Sequence, residues 1–146
     1  EAVSAEQKES GNVVENLLIL AHSAGGRRTT YLLRERGSII QRYIRAIAFT
    51  DIRDPKVSVF KWERDLQSAV DYTEQCKLIK RIYKECARNW IKTKRGKKLD
   101  APCKMEKGTL VERVSSGHAD HKYTTPSAFP SVIRFFEEKM NAIKDQ

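Results

Sequence analysis

The chain has 146 residues, 40% of them hydrophobic, which suits one folded domain with a single core and excludes two. No apolar run reaches the ~20 residues of a bilayer span, and Glu1 to Ser10 is acidic and polar, so neither a membrane segment nor a secretory leader is expected. The net charge is +9, and twelve Lys or Arg against Glu85, Asp100 and Glu106 place the whole excess between Lys77 and Lys107.

Val13 to Leu20 is almost wholly apolar without alternation, the pattern of a central strand covered on both faces in a parallel sheet. Gly25-Gly26 follow, and Arg27 to Arg36 carries Tyr31, Leu32 and Leu33 on one side, which predicts a helix stopped by Gly37. Tyr43 to Phe49 is a second strand-length apolar run, followed by Thr50-Asp51 and a loop closed by Asp54-Pro55. Strand, helix, strand in that order implies a right-handed parallel crossover. Lys61 to Ile91 reads as a long helix, with a break expected near Tyr72-Thr73. On its second part Ile79, Ile82, Tyr83, Cys86 and Trp90 share an apolar face, opposite a stripe of Lys77, Lys80, Lys84 and Arg88. Lys92 to Lys98 is a charged turn and Thr109 to Val114 a third candidate strand. A polar loop from Ser115 to Tyr123 then leads into a closing helix, Pro126 to Ile143, with Phe129, Ile133, Phe136 and Met140 on its apolar side. The expected architecture is α/β in three layers, a short parallel sheet of about three strands with helices on both faces.

Cys76, Cys86 and Cys103 are odd in number and none is spaced for metal binding with His22, His118 or His121, so no metal site and no disulfide framework is expected. Cys76 and Cys86 fall on the apolar helix face, as buried free thiols of a reducing compartment do. No cofactor motif appears.

The segment Ala21-His22-Ser23-Ala24-Gly25-Gly26 stands between an apolar strand and an amphipathic helix. A serine at such a turn, with small residues two before and two after, is the nucleophile elbow of α/β-hydrolases, where small residues let the two backbones approach. Asp51 at the end of the next strand and His121 in the loop after the last one give the chain order Ser, Asp, His that a hydrolase triad needs. The plainer reading makes Asp51 a turn cap, packs His22 under the elbow, and leaves His118 and His121 as exposed loop residues. Ala24 N–H would be one oxyanion donor. The other comes in hydrolases from a loop well upstream, and only about twenty residues precede Ser23. The chain is therefore expected to be the carboxyl-terminal half of a larger domain or a reduced unit without half its oxyanion hole. One missing donor costs roughly 3 to 4 kcal/mol of transition-state stabilisation, so efficient acyl transfer by this chain alone is not expected.

The same elbow taken with Ala48-Phe49-Thr50-Asp51, Asn89-Trp90, Ser116-Gly117 with His121 beyond it, and Phe129-Pro130-Ser131 followed by Phe135-Phe136 resembles the Argonaute-binding (Arb-type) domain family. The likeness extends from Asn16 to Glu138 and is strongest to the metazoan branch, that of a cotranscriptional regulator. The resemblance implies an α/β-hydrolase-like fold, of which this chain would be a single, partial domain over residues 1–146. It further implies a setting in the nucleus, which does not exclude the cytoplasm, and a role in holding Argonaute or chromatin and splicing factors rather than a known reaction. Ser23, Asp51 and His121 are the positions that match the family's triad-like set. The departures are the lack of the amino-terminal half and the strongly basic stretch Lys92 to Lys98.

That stretch, KTKRGKK, has five positives in seven residues, Lys92, Lys94, Arg95, Lys97 and Lys98, and the stripe Lys77, Lys80, Lys84, Arg88 would extend it. Such runs serve nucleic-acid contact or nuclear import, or are simply solvated. With no aromatic residue on the basic face, contact with nucleic acid would be electrostatic and independent of sequence. Three functions are thus in play: a non-enzymatic adaptor for an Argonaute or chromatin-associated protein, a serine esterase using Ser23, Asp51 and His121, and a basic nucleic-acid-binding module.

Overall fold

The structure, a computed structural model, describes residues 16–53, 55 and 69–144. Residues 13–15 of the first expected strand, Asp54 of the expected loop and residues 61–68 of the long expected helix lie outside the described residues. The elements in order are β1 (Leu17–His22), α1 (Gly25–Ile40), β2 (Ile44–Thr50), α2 (Ala69–Cys86), β3 (Ala87–Ile91), β4 (Glu112–Ser115) and α3 (Thr124–Lys144), the last entered through a short 3-10 turn at His121–Tyr123.

The four strands pair in parallel in the order β1-β2-β3-β4. The β1 strand, expected to be central and covered on both faces, is instead an edge strand with Leu18 and Leu20 exposed, because no helix among the described residues packs over that side of it. The β2 strand is buried along almost its whole length, as its apolar, β-branched composition requires of a strand with helices on both faces. Its side chains alternate between the two sides of the sheet, so the single core expected from the length is instead divided into two clusters, one on each face. Ile47 and Phe49 join Leu33 of α1 and Ile79, Ile82 and Tyr83 of α2 in one cluster. Ala46 and Ala48 face Trp90, Val114 and the α3 residues Ala128, Val132 and Phe135 in the other. The architecture is thus three layers: α1 and α2, the sheet, and α3. Side chains such as Ile47 and Phe49, both fully buried, contribute roughly 1.5–3 kcal/mol each.

The sheet has one strand more than the sequence suggests. Ala87–Ile91, expected to end the long helix, is β3. Over five residues a helical and an alternating pattern are hard to tell apart: Cys86 and Trp90 are four apart, yet Ala87 and Asn89 also alternate with Arg88 and Trp90. Pairing decides it, because β3 fills the gap between β2 and β4 and bonds to both. Arg88 consequently leaves the expected basic stripe. It lies on the α3 side, stacked 4.9 Å from the Phe135 ring and paired with Glu112 at 2.6 Å.

Three further expectations are corrected. The helix α1 runs through Gly37 to Ile40. Gly37 is buried inside the helix where it meets α2, and a Cβ there would stand 3.2 Å from Leu78, so the glycine serves a close crossing rather than a stop. The α2 helix passes unbroken through Tyr72 and Thr73. In α3 the buried apolar residues are Ala128, Val132 and Phe135, whereas Phe129 and Ile133 are exposed. The helix is apolar over a wide arc, and its rotation is fixed by Ser131 and Arg134, which reach Asp100 on one flank, and by the edge-to-face contact of Phe135 with Trp90.

Candidate functional site

All strands point the same way, so the turns after β1, β2 and β4 converge at the carboxyl end of the sheet, where open parallel sheets place their sites. At the first turn Ser23 takes φ of 50°, the left-handed region that a non-glycine residue occupies only under constraint. The constraint is visible. Ser23 N–H donates to Thr50 O at 3.1 Å, while Ser23 O accepts from Gly26 N at 3.2 Å to start α1. Gly26 lies so close to Ile52 that a Cβ would come within 2.8 Å of its side chain, and at Gly25 a Cβ would be 3.1 Å from Ala21 Cβ. Strand and helix can approach this closely only with small residues at these places.

At the second turn Asp51 is also left-handed, with φ of 49°. Its N–H donates to Trp90 O at 2.8 Å, and its Oδ1 accepts from Lys92 N at 3.0 Å. The other oxygen, Oδ2, accepts from His121 Nδ1 at 2.6 Å. Since a carboxylate only accepts, Nδ1 carries the proton and Nε2 of neutral His121 is left as a base. His121 is placed by the cap of the 3-10 turn, where Asp120 Oδ1 accepts from Lys122 N at 3.1 Å, and by Thr124 Oγ1, which donates to His121 O at 2.8 Å. The Asp51 side chain is only 12% exposed and that of His121 41%, so the carboxylate is sheltered and the ring faces the open side.

His22 lies beneath. Its Nδ1 donates to Thr50 O at 2.8 Å, and its ring stands 4.5 Å from that of His121. Thr50 Oγ1 shares a 2.6 Å hydrogen bond with Thr125 Oγ1. The structure therefore gathers Ser23, Asp51, His121, His22, Ala24, Gly25 and Gly26 at one end of the sheet. His118 is directed elsewhere: its Nδ1 accepts from Asp120 N at 3.0 Å and its ring packs 5.2 Å from Tyr123. Among the described residues Ser23 Oγ makes no hydrogen bond. The orienting half of a triad is formed and the serine-to-histidine link is not.

The basic residues divide. Lys77, Lys80 and Lys84 are on α2, which runs toward the amino end of β3, while Lys92, Lys94, Arg95, Lys97 and Lys98 follow its carboxyl end, beside the elbow site. Lys77 pairs with Glu74 at 2.8 Å. The sequence reading misses Lys104 and Arg113, which join Lys94 and Lys97 around one hollow, and Asp100, whose carboxylate accepts from Trp90 Nε1 and Ser131 Oγ. The signal for Asp100 is the Leu-Asp-Ala-Pro stretch, since aspartate tolerates the φ of 64° it adopts there.

Among the described residues no cluster of His, Cys, Asp or Glu could hold a metal ion, and no helix is long and apolar enough to cross a membrane. Cys76, Cys86 and Cys103 are free and half-buried, and burial pushes the Cys86 thiol up from its ordinary value.

Fold and site define a parallel α/β protein with a strained strand-to-helix elbow opposite a carboxylate–histidine pair. Over most of its length the chain is similar to proteins named Cotranscriptional regulator ARB2A or its homolog. The Dictyostelium discoideum homolog is 30% identical over 133 residues, 89% of this chain and 29% of that protein. The Gallus gallus homolog is 29% identical over 91% of this chain and 28% of its own length. The Homo sapiens protein is 29% identical over 88% and 27%. These similarities support an ARB2-type family, and the chain spans less than a third of the length of the curated relatives it matches. No family model and no solved structure matches the chain.

Proposed function

We propose that the chain is a non-enzymatic regulatory module that acts in the nucleus, and in the cytoplasm as well, by holding a protein partner in transcription-coupled RNA processing. The observation that carries this is the similarity to cotranscriptional regulators over about nine-tenths of the chain. An Argonaute or another chromatin-associated protein is the partner class that the family resemblance suggests. In this reading the chain belongs to the carboxyl-terminal half of a hydrolase-like domain. The elbow is then a packing device that brings α1 against the sheet, and the Asp51–His121 pair ties the turns after β2 and β4 together. Affinity capture from nuclear extract with the purified chain tests it. Enrichment of Argonaute or chromatin proteins over a matched control is the expected result, and no enrichment overturns the reading.

A second reading, serine hydrolysis, is favoured by one specific geometry. Ser23 at φ of 50° and His121 Nδ1 at 2.6 Å from Asp51 reproduce two parts of a hydrolase triad. In that case His121 Nε2 takes the Ser23 proton as Oγ attacks an acyl carbon, and Ala24 N–H faces the developing oxyanion. A fluorophosphonate probe separates the two: labelling that disappears in Ser23→Ala would establish the hydrolase.

A further inference from the structure

Beyond β4 the chain builds a small structure that neither reading uses. The segment from Asp100 to Cys103 runs antiparallel along the free edge of β4. Asp100 N–H donates to Ser115 O at 2.9 Å, Ser115 N–H to Ala101 O at 2.9 Å, and Cys103 N–H to Arg113 O at 3.0 Å. On the near side, Lys94 to Lys97 is a reverse turn closed by Lys97 N–H to Lys94 O at 3.2 Å. Gly96 at its third position has φ of 90°, as a type II turn requires. Between turn and edge is an open hollow of about 390 Å³, whose charged lining is Lys94, Lys97, Lys104, Arg113 and Glu106.

Its chemistry is one-sided. Arg113 belongs to the wall, donating to Lys104 O at 3.4 Å and lying 3.5 Å from Glu106. Lys94, Lys97 and Lys104 are exposed and converge on the hollow from two segments, and Lys92, Arg95 and Lys98 carry the positive charge on along the same turn. Three ammonium groups are point charges that suit phosphates in varied orientation, whereas recognition of a single phosphoryl group on a peptide generally employs arginine forks. The one arginine here is already engaged. No aromatic residue is in the lining to stack on a base, and the positive track extends beyond the hollow, which fits a repeating polyanion better than one phosphate.

We propose that this hollow, walled by Lys94, Lys97 and Lys104, seats the phosphodiester backbone of a nucleic-acid strand without regard to its sequence. The proposal is independent of the protein-contact reading. Neutralising three phosphates on a single strand gives a log–log salt slope of about −2, so affinity should fall roughly 15-fold between about 50 and about 200 mM salt.

Fluorescence anisotropy with labelled oligouridine tests it. The variant Lys94→Ala/Lys97→Ala/Lys104→Ala should bind about tenfold or more weakly and lose most of the salt slope. Removing the same charge from α2, by Lys77→Ala/Lys80→Ala/Lys84→Ala, should change affinity by less than about twofold. On the unmodified chain, bound oligouridine should protect Lys94, Lys97 and Lys104 from acylation more than the α2 lysines. No salt-dependent binding, equal losses in the two variants, uniform protection, or displacement of the RNA by a phosphopeptide of lower total charge would each overturn the proposal.

Discussion

Ser23 and Gly26 divide the work of the elbow. The serine supplies a left-handed turn, and the glycine supplies the space for α1 to meet Ile52. A methyl group at Gly26 would have to displace a branched side chain from 2.8 Å, whereas at Gly25 the contact with Ala21 Cβ is 3.1 Å. Gly26→Ala should therefore cost about 1–3 kcal/mol, the range of overpacking, and Gly25→Ala less than about 1, because the gain in helix propensity offsets a milder contact. Ser23→Ala should stay within about 0.5 kcal/mol, since its hydroxyl has no partner among the described residues. Urea denaturation of the three variants checks the order. A Ser23→Ala loss exceeding that of Gly26→Ala would contradict this account of the turn. The residue types at the turn are legible in sequence because a tight approach selects for small side chains locally. What the sequence does not contain is which glycine is closer, as that depends on Ile52, well outside the motif.

At the scale of elements, β1 and β2 are legible as apolar runs of strand length and α1 as the amphipathic segment between them, although its end is not, because Gly37 is inside the helix. The strand β3 is not legible, for its five residues satisfy two periods, and its identity comes from hydrogen bonds to β2 and β4. The facing of α3 failed for a related reason: an apolar arc too wide to choose a side is oriented by Asp100, a residue in a distant loop. Asp100 Oδ1 accepts from Trp90 Nε1 at 2.8 Å, and Oδ2 accepts from Ser131 Oγ at 2.5 Å, joining β3, the β4 edge and α3. Asp100→Ala would leave the indole N–H of fully buried Trp90 unpaired and force alanine to a φ of 64°. A loss on the order of 3 kcal/mol is expected in equilibrium unfolding, and Asp100→Asn should recover much of it. The other core offers a pH test. Burial pushes the Tyr83 hydroxyl up to about 12 from 10.0, against the opposing effect of its hydrogen bond with Thr30. A folded-state value above the unfolded one means that this contribution is complete below pH ~10 and is lost as pH rises toward 12. The slope is at most about 1.4 kcal/mol per pH unit. Alkaline unfolding of Tyr83→Phe should lack that part of the decline.

On the scale of the molecule, charge and apolar exposure are both unevenly placed. The carboxyl end of the sheet carries the elbow, the Asp51–His121 pair and the basic turn, the last linked to the pair where Lys92 N–H donates to Asp51 Oδ1. The α3 face of β1 presents a different surface. Leu18 and Leu20, 39% and 42% exposed, are in register with buried Ala46 and Ala48, but α3 packs over β2 and β3 rather than over them. On α3, Ser127, Ser131 and Arg134 point toward β4 and the Asp100 segment, which by helical geometry turns Phe129 and Ile133, 48% and 39% exposed, toward the β1 side. Four large apolar side chains thus rim one corner, next to a strand whose outer backbone edge has no partner strand among the described residues. Parallel strands of this composition are ordinarily covered on both faces, and an uncovered apolar edge favours pairing with another chain. The chain is therefore expected to self-associate through this corner in a concentration-dependent way. Leu20→Lys combined with Ile133→Lys should render it monomeric without loss of helical signal, because neither side chain belongs to the buried packing on either side of the sheet. Sedimentation velocity over a concentration series decides the matter: a monomer at every concentration, or association unchanged by the two lysines, would place the contact elsewhere or remove it.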